Sequence, residues 1–352
     1  MSDDIKIDFV IPWVDGSDPK WQVEFNKYSP SNKALNGAER YKDWDNLQYI
    51  FRAFEQFTPW VNKIHFITWG HIPKWLNVEH PKLNIVKHED YIPKEFLPTF
   101  SANPIELNIH RIEDLSEYFV YFNDDFFILK PAKKEEFFQN RLPVDFAIFD
   151  TMHDGMISHM ILNDIDLINK NFNRHVSYEL SKKNIVLQNK SKWLSFKYGF
   201  KAIRNLFFLN WPGHTGFVIN HHPQPYLKSI LEEVWSKEEE KLTEVSKNKF
   251  RTNEDVNQYL FRYWQFVSNK FMPLDYSKYK QERKHLNLKN LEDIQATASE
   301  LHKYKFYCIN DMTNKGRYNR VDISLEDFEK GKKLIRDSLN KILPKKSSYE
   351  VE

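Results

Sequence analysis

The stretch IKIDFVIPWV (residues 5–14) is apolar, β-branched and partly alternating, and it reads as a buried strand. DGSDP (15–19) stops it with turn-forming residues. Working outward, Leu47, Ile50, Phe51 and Phe54 fall at i, i+3, i+4 and i+7, which predicts an amphipathic helix over 44–57. KIHFITW (63–69), closed by Gly70, predicts a second strand, and LNIVK (83–87) a short third. The loop LPTFSANP leads into a helix expected over 104–113. YFVYFN (118–123) predicts another strand, followed at once by Asp124 and Asp125, and VDFAIF (144–149) one more. Strands alternating with helices predict a Rossmann-like α/β fold, with a mostly parallel sheet flanked by helices. Ligands of such sheets bind outside the carboxyl ends of the strands. Two acidic clusters fall there, Asp15/Asp18 and Asp124/Asp125.

From about residue 151 the character changes. Residues 182–204 carry seven Lys or Arg and no acid, interleaved with Trp193, Phe196, Tyr198 and Phe200. Helices are expected over 226–235, 254–267 and 325–342, with 236–250 a charged, solvated connection. The chain of 352 residues suggests two domains or one large one. The division expected is 1–150 (α/β), 151–312 (insertion and helices completing the active site) and 313–352 (a helical tail). Residues 5–312 can equally be read as one continuous catalytic unit.

Composition narrows the classes. Apolar residues make up 41%, enough for a core, so wholesale disorder is excluded. Lys and Arg number 51 against 49 Asp and Glu, which disfavours a globally basic nucleic-acid binder. Cys308 is the only cysteine, so no internal disulfide forms, and a cysteine-based zinc site is not expected. The start, MSDDIK, lacks an apolar h-region, and no run of about 18 apolar residues occurs. A cytoplasmic protein is expected, with the basic aromatic stretch 182–204 read either as a solvated face or as a peripheral contact with a membrane.

Several constellations could carry chemistry. Asp15, Gly16, Ser17 and Asp18 form either a plain turn or a holder for a ribose or diphosphate. Adjacent acids after an apolar strand, Asp124 and Asp125, suit a hard divalent cation and phosphate oxygens. Asn103, Pro104 and Glu106 have the spacing of a capping box with Pro at N1. His110 would share a helix face with Glu106, with Arg111 beside it. His214, His221 and His222 are the densest histidine group; their spacing is not that of a metal site, but NHHPQPY offers a general base. Arg251, Asn253, Glu254 and Asp255 would open the helix at 254, either as a phosphate site or as ordinary capping. No Gly-rich phosphate loop and no GxSxG elbow occur.

On these residues a family resemblance rests. IDFVIPWVDGSDPKW (7–21) resembles the first conserved block of the Stealth family of sugar-1-phosphate transferases. RYKDWDNLQYIFRAFEQFTPWVNKIHFITWGHIPKWL (40–76) and LPTFSANPIELNIHRIEDLSEYFVYFNDDFFI (97–128) resemble the second. NHHPQPY with FRTNEDVNQYLFRYW (250–264) resembles the third, and KFYCINDM (305–312) the fourth. The resemblance implies a GT-A-like fold and transfer of a hexose-1-phosphate from a UDP-sugar to a sugar hydroxyl of an oligo- or polysaccharide acceptor. UMP would leave and a phosphodiester form, with Mg²⁺ or Mn²⁺, as in the bacterial capsule and exopolysaccharide enzymes. Its important positions fall on Asp15, Asp18, Glu106, Asp124, Asp125, His221, Arg251, Asp255, Asn310 and Asp311.

The scheme this implies has Asp124, Asp125 and Asp311 holding the cation and Arg251 neutralising the phosphate. His221 would take the acceptor proton, and Glu106 would be more than a cap. DGSDP, Asn103, His110, Arg111, Asp255 and Asn310 would bind substrate. A phospho-enzyme on Asp125 is the competing scheme. A UDP-releasing glycosyltransferase and a non-catalytic polysaccharide-binding module remain alternatives.

Overall fold

The computed structural model describes residues 5–28, 41, 44–152, 155, 157–311 and 324–351. Its strands are β1 (Ile7–Pro12), β2 (Ile64–Thr68), β3 (Leu83–Lys87), β4 (Tyr118–Tyr121), β5 (Phe126–Ile128), β6 (Phe138–Gln139), β7 (Leu142–Asp145), β8 (Gln224–Leu227), β9 (Met272–Pro273), β10 (Arg283–Leu288) and β11 (Phe306–Asp311). The main sheet runs β3-β2-β1-β4-β8, with β1 to β4 parallel and β8 antiparallel at its edge. Two separate three-stranded sheets, β10-β11-β5 and β6-β7-β9, accompany it. This mixed, mostly parallel sheet flanked by helices is the α/β arrangement expected from the sequence. Strand β8 carries the second half of the chain into the sheet laid down by the first, and β11 pairs with β5.

β1 shows why a continuous apolar run makes a central parallel strand: Ile7, Phe9, Val10 and Ile11 are wholly buried, covered on both faces. Its one polar residue is fully bonded. Asp8 accepts from Asn62 Nδ2 (2.7 Å), Lys63 N (3.1 Å), Ser116 N (2.8 Å) and His65 Nε2 (3.1 Å). Burial alone would raise this carboxyl, but the bonds from His65, Asn62 and Ser116 outweigh it and hold it below its ordinary value. The helix Leu47–Phe57 lays seven buried residues on the sheet, as the apolar spacing predicts. Arg52 on its outer side takes Glu350 in a bidentate pair, 2.8 Å at each oxygen, and Tyr349 buries itself against Phe51 and His80.

Several boundaries differ from the sequence reading. The expected helix 104–113 is Ala102–Leu107 followed by a separate 3-10 turn, Ile109–Arg111. The expected connection 236–250 is mostly helix: Lys228–Ser246 runs on through a kink at Glu238 because Leu242 and Val245 bury their side chains. The helix expected from 254 begins at Tyr259. VDFAIF contributes only its first residues to β7. Within the described residues no helix is long and apolar enough to cross a membrane.

Candidate active site

The loops after β1, β2 and β4 all leave the main sheet at its carboxyl edge, and the first two touch through Asp15 and His71. After β1, Asp15 Oδ1 accepts from Ser17 N (2.8 Å) and Ser17 Oγ (2.6 Å), closing a tight turn. Asp18 Oδ1 accepts from Trp21 N (2.8 Å) at the start of the helix Pro19–Tyr28, so the motif caps that helix with Pro at its first position. Both carboxylates thus have local work. Gly16 packs too closely for a Cβ, which would press on the Tyr41 carbonyl oxygen and force the turn to shift. The Asp15 N–H donates to His71 Nε2 (2.8 Å), a residue the sequence reading missed. Since Nε2 accepts, the ring proton sits on Nδ1, which is buried without a partner among the described residues. Burial lowers the His71 pKa, with Asp18 and Asp15 pulling the other way.

The capping-box reading of Glu106 is overturned. The N-cap of Ala102–Leu107 is Ser101, whose Oγ accepts from Asn103 N (3.3 Å), which places Glu106 two residues beyond the capping-box position. Glu106 is buried instead beneath the end of β4. It accepts from Tyr121 Oη (2.9 Å) and Gln258 N (3.4 Å). Burial pushes its pKa up to about 6, opposed by the charge of Arg251 and by those two bonds. Arg251 therefore stands within electrostatic reach of Glu106, on a loop rather than at a helix start. That loop is closed by Asp255, fully buried, which accepts from Asn103 Nδ2 (2.7 Å), Asn248 Nδ2 (2.8 Å), Thr252 N (3.1 Å) and Thr252 Oγ1 (2.8 Å). Asp255 and Asn103 thus hold the Arg251 loop against the helix that carries Glu106. His110 and Arg111 are used elsewhere: His110 packs on Trp235 at 5.5 Å and Arg111 lies over the same ring at 4.6 Å. His110 and Glu106 do not meet as the helical spacing implied.

Beyond β4, Asp124 is exposed and Asp125 turns inward. Asp125 Oδ2 accepts from Cys308 Sγ at 3.6 Å, while Oδ1 is buried with no hydrogen-bond partner among the described residues. Burial, then the neighbouring Asp124 charge, push the Asp125 pKa up to about 8, with Cys308 opposing. His221 stands edge-on to Phe126 at 5.1 Å and beside His285 at 5.0 Å. Burial pushes the His221 pKa down to about 3, and His285 adds to it. His222 packs on Tyr279 (5.7 Å), and burial, then Arg283, lower it well below its ordinary range. His214 is separate, a core ring between Phe149 and Phe217. Asn310 donates to Asn287 Oδ1 (2.7 Å), and Asp311 ends β11, its side chain lying outside the described residues.

The loop bearing His221 is anchored from below by a wholly buried ion pair that the sequence reading also missed. Arg262 donates to both oxygens of Asp145 (2.7 and 2.9 Å) and to Val218 O (2.9 Å), and Gln224 donates to the same carboxylate (2.7 Å). Tyr279 and Tyr259 hold Asn220 at the head of the loop (2.9 and 3.2 Å).

Residues 6–33 match the family model for Stealth conserved region 1, and residues 40–144 that for Stealth conserved region 2. A capsular polysaccharide phosphotransferase of Streptococcus pneumoniae is 42% identical over 352 residues, covering 98% of each chain. The chain belongs to the Stealth family. An exopolysaccharide phosphotransferase of Lactiplantibacillus plantarum is 34% identical, covering 98% of this chain and 96% of its own. A receptor polysaccharide phosphotransferase of Streptococcus oralis is 35% identical, covering 98% and 99%. These polysaccharide phosphotransferases match this chain over nearly its whole length, and it is a transferase of polysaccharide synthesis.

Proposed function

We propose that the protein transfers a hexose-1-phosphate from a UDP-sugar to a hydroxyl of an oligo- or polysaccharide, forming a phosphodiester and releasing UMP. The observation that carries this reading is the strip Glu106–Tyr121–Asp124–Asp125 along the carboxyl edge of the sheet, with Arg251 in reach of one end. Phosphoryl transfer needs charge neutralisation and positioning more than covalent chemistry. Arg251 supplies a guanidinium for the phosphate, and the tight turn at DGSDP frames the nucleotide. The carboxylate oxygens of Asp124 and Asp125, one buried and unpartnered, fit a hard cation such as Mg²⁺ or Mn²⁺. Such an ion would neutralise the diphosphate. The acceptor proton has two candidate recipients, His221 and Glu106. A base works best with a pKa near the working pH, which favours Glu106, at about 6, over His221, at about 3.

The leaving nucleotide tests the reading. The protein is incubated with a UDP-sugar panel, Mg²⁺ and a capsule-type oligosaccharide, and UMP is resolved from UDP. Acceptor-dependent UMP supports it, whereas UDP makes the protein a glycosyltransferase.

The enzyme would work in the cytoplasm, at the inner face of the membrane. Phe196, Phe200 and Phe207 are 89%, 93% and 71% exposed, with Ile203, Leu206 and Trp211 also outward and Lys183 and Lys190 exposed nearby. An apolar face rimmed by cations suits anionic lipid.

A further inference from the structure

We propose that His221, His285 and Cys308 bind a divalent transition-metal ion, Zn²⁺ by donor chemistry, with a carboxylate oxygen of Asp125 in the fourth position. The fold assembles the donors from three distant stretches of chain. In the β10-β11-β5 sheet His285 is the register partner of Cys308, and Cys308 that of Phe126, so the three side chains share one face. His221 leans on the edge of Phe126 from the neighbouring loop, and Asp125 directly precedes that residue.

One donor atom from each of His221, His285 and Cys308 lies within 4.8 Å of the others. Tetrahedral zinc, with bonds of about 2.0–2.3 Å, sets its donors about 3.3–3.8 Å apart, so side-chain shifts of about 1 Å close the cluster on an ion. Asp125 points independently to a cation: Oδ1 is buried with no partner among the described residues, and Oδ2 is 3.6 Å from Cys308 Sγ. A thiolate and two imidazoles select a borderline metal rather than Mg²⁺. His285, exposed at the sheet surface, leaves the site open for entry. On binding, the Cys308 S–H bond breaks, sulfur keeps the electron pair for the metal, and the proton goes to solvent.

The inference goes beyond the proposed reaction and alters two roles in it. Asp125 gives one oxygen to this ion, so the hard cation keeps Asp124 and the other Asp125 oxygen. As a ligand His221 no longer serves as base, which leaves the acceptor proton to Glu106. The test is read without turnover, so its failure and that of the transfer reading are separate. The full chain, stripped by chelator and kept reduced by a non-thiol reductant, is titrated with Co²⁺ in excess Mg²⁺. One Co²⁺ per chain with an intense near-ultraviolet thiolate-to-cobalt band is expected, lost on adding Zn²⁺. Cys308→Ser should abolish the band. His285→Ala, at an exposed position that spares the core, should weaken cobalt binding at least about tenfold. Absence of the band, its persistence in Cys308→Ser, or unchanged affinity in His285→Ala would overturn the proposal.

Discussion

Replacing Glu106 by Gln separates a titrating group from a merely packed one. The carboxyl has a pKa of about 6 in the folded chain against an ordinary 4.5. The native state therefore holds the proton more tightly than the unfolded chain. Its contribution to stability is fully present below about pH 4.5 and is lost as pH rises to about 6. A shift of about 1.5 units corresponds to about 2 kcal/mol. The substituted amide cannot titrate. Its Oε1 still accepts from Tyr121, but its NH₂ would face the Gln258 N–H, donor against donor, at a cost of about 1 kcal/mol at every pH. Urea unfolding should thus find the variant less stable by about 1 kcal/mol at pH 4 and more stable by a similar amount at pH 7.5. In the transfer assay the wild-type rate should rise through about pH 6 and level off. The variant should lose that limb and about 10²–10⁴ in rate. Parallel stability curves would mean that Glu106 carries no shifted proton, and full turnover would remove it from the chemistry.

Asp125→Asn should fold and lose about 10²–10⁴ in transfer; turnover near wild type would take that carboxylate out of the scheme. Arg262→Leu leaves Asp145 charged and buried, so it should cost about 3–5 kcal/mol in urea unfolding, more than Arg262→Leu with Asp145→Leu. Gly16→Ala forces the first turn away from Tyr41, and KM for the donor should rise while kcat holds; an unchanged KM would remove the turn from donor binding. Phe200→Ser with Phe207→Ser should reduce sedimentation with anionic vesicles without affecting neutral ones; equal sedimentation would leave that face without a lipid role.

β1, β2 and β4 were legible because they are mostly apolar runs, which a strand covered on both faces accommodates, whereas the edge strand β8 overlaps the start of an expected helix. Local spacing failed where tertiary contacts decide. Glu106 has the offset of a cap, yet Ser101 takes that place and Glu106 turns to Tyr121 on β4. The segment 236–250 reads as solvated because its charges outnumber its apolar residues, yet Leu242 and Val245 are enough to keep it helical. Asp145 and Arg262, 117 positions apart, carry no local mark of their pairing. Counting cysteines likewise hides Cys308: its neighbours His221 and His285 arrive through strand register and a distant loop, not through any spacing near it.

The contact of Glu350 with Arg52 gives the molecule a temporal order. Arg52 leaves the ribosome almost three hundred residues before its partner, and Phe51 waits as long for the Tyr349 ring. Until those residues are made, Arg52 and Phe51 lack these two contacts. Only when Tyr349 and Glu350 emerge does that side of the helix receive this cover.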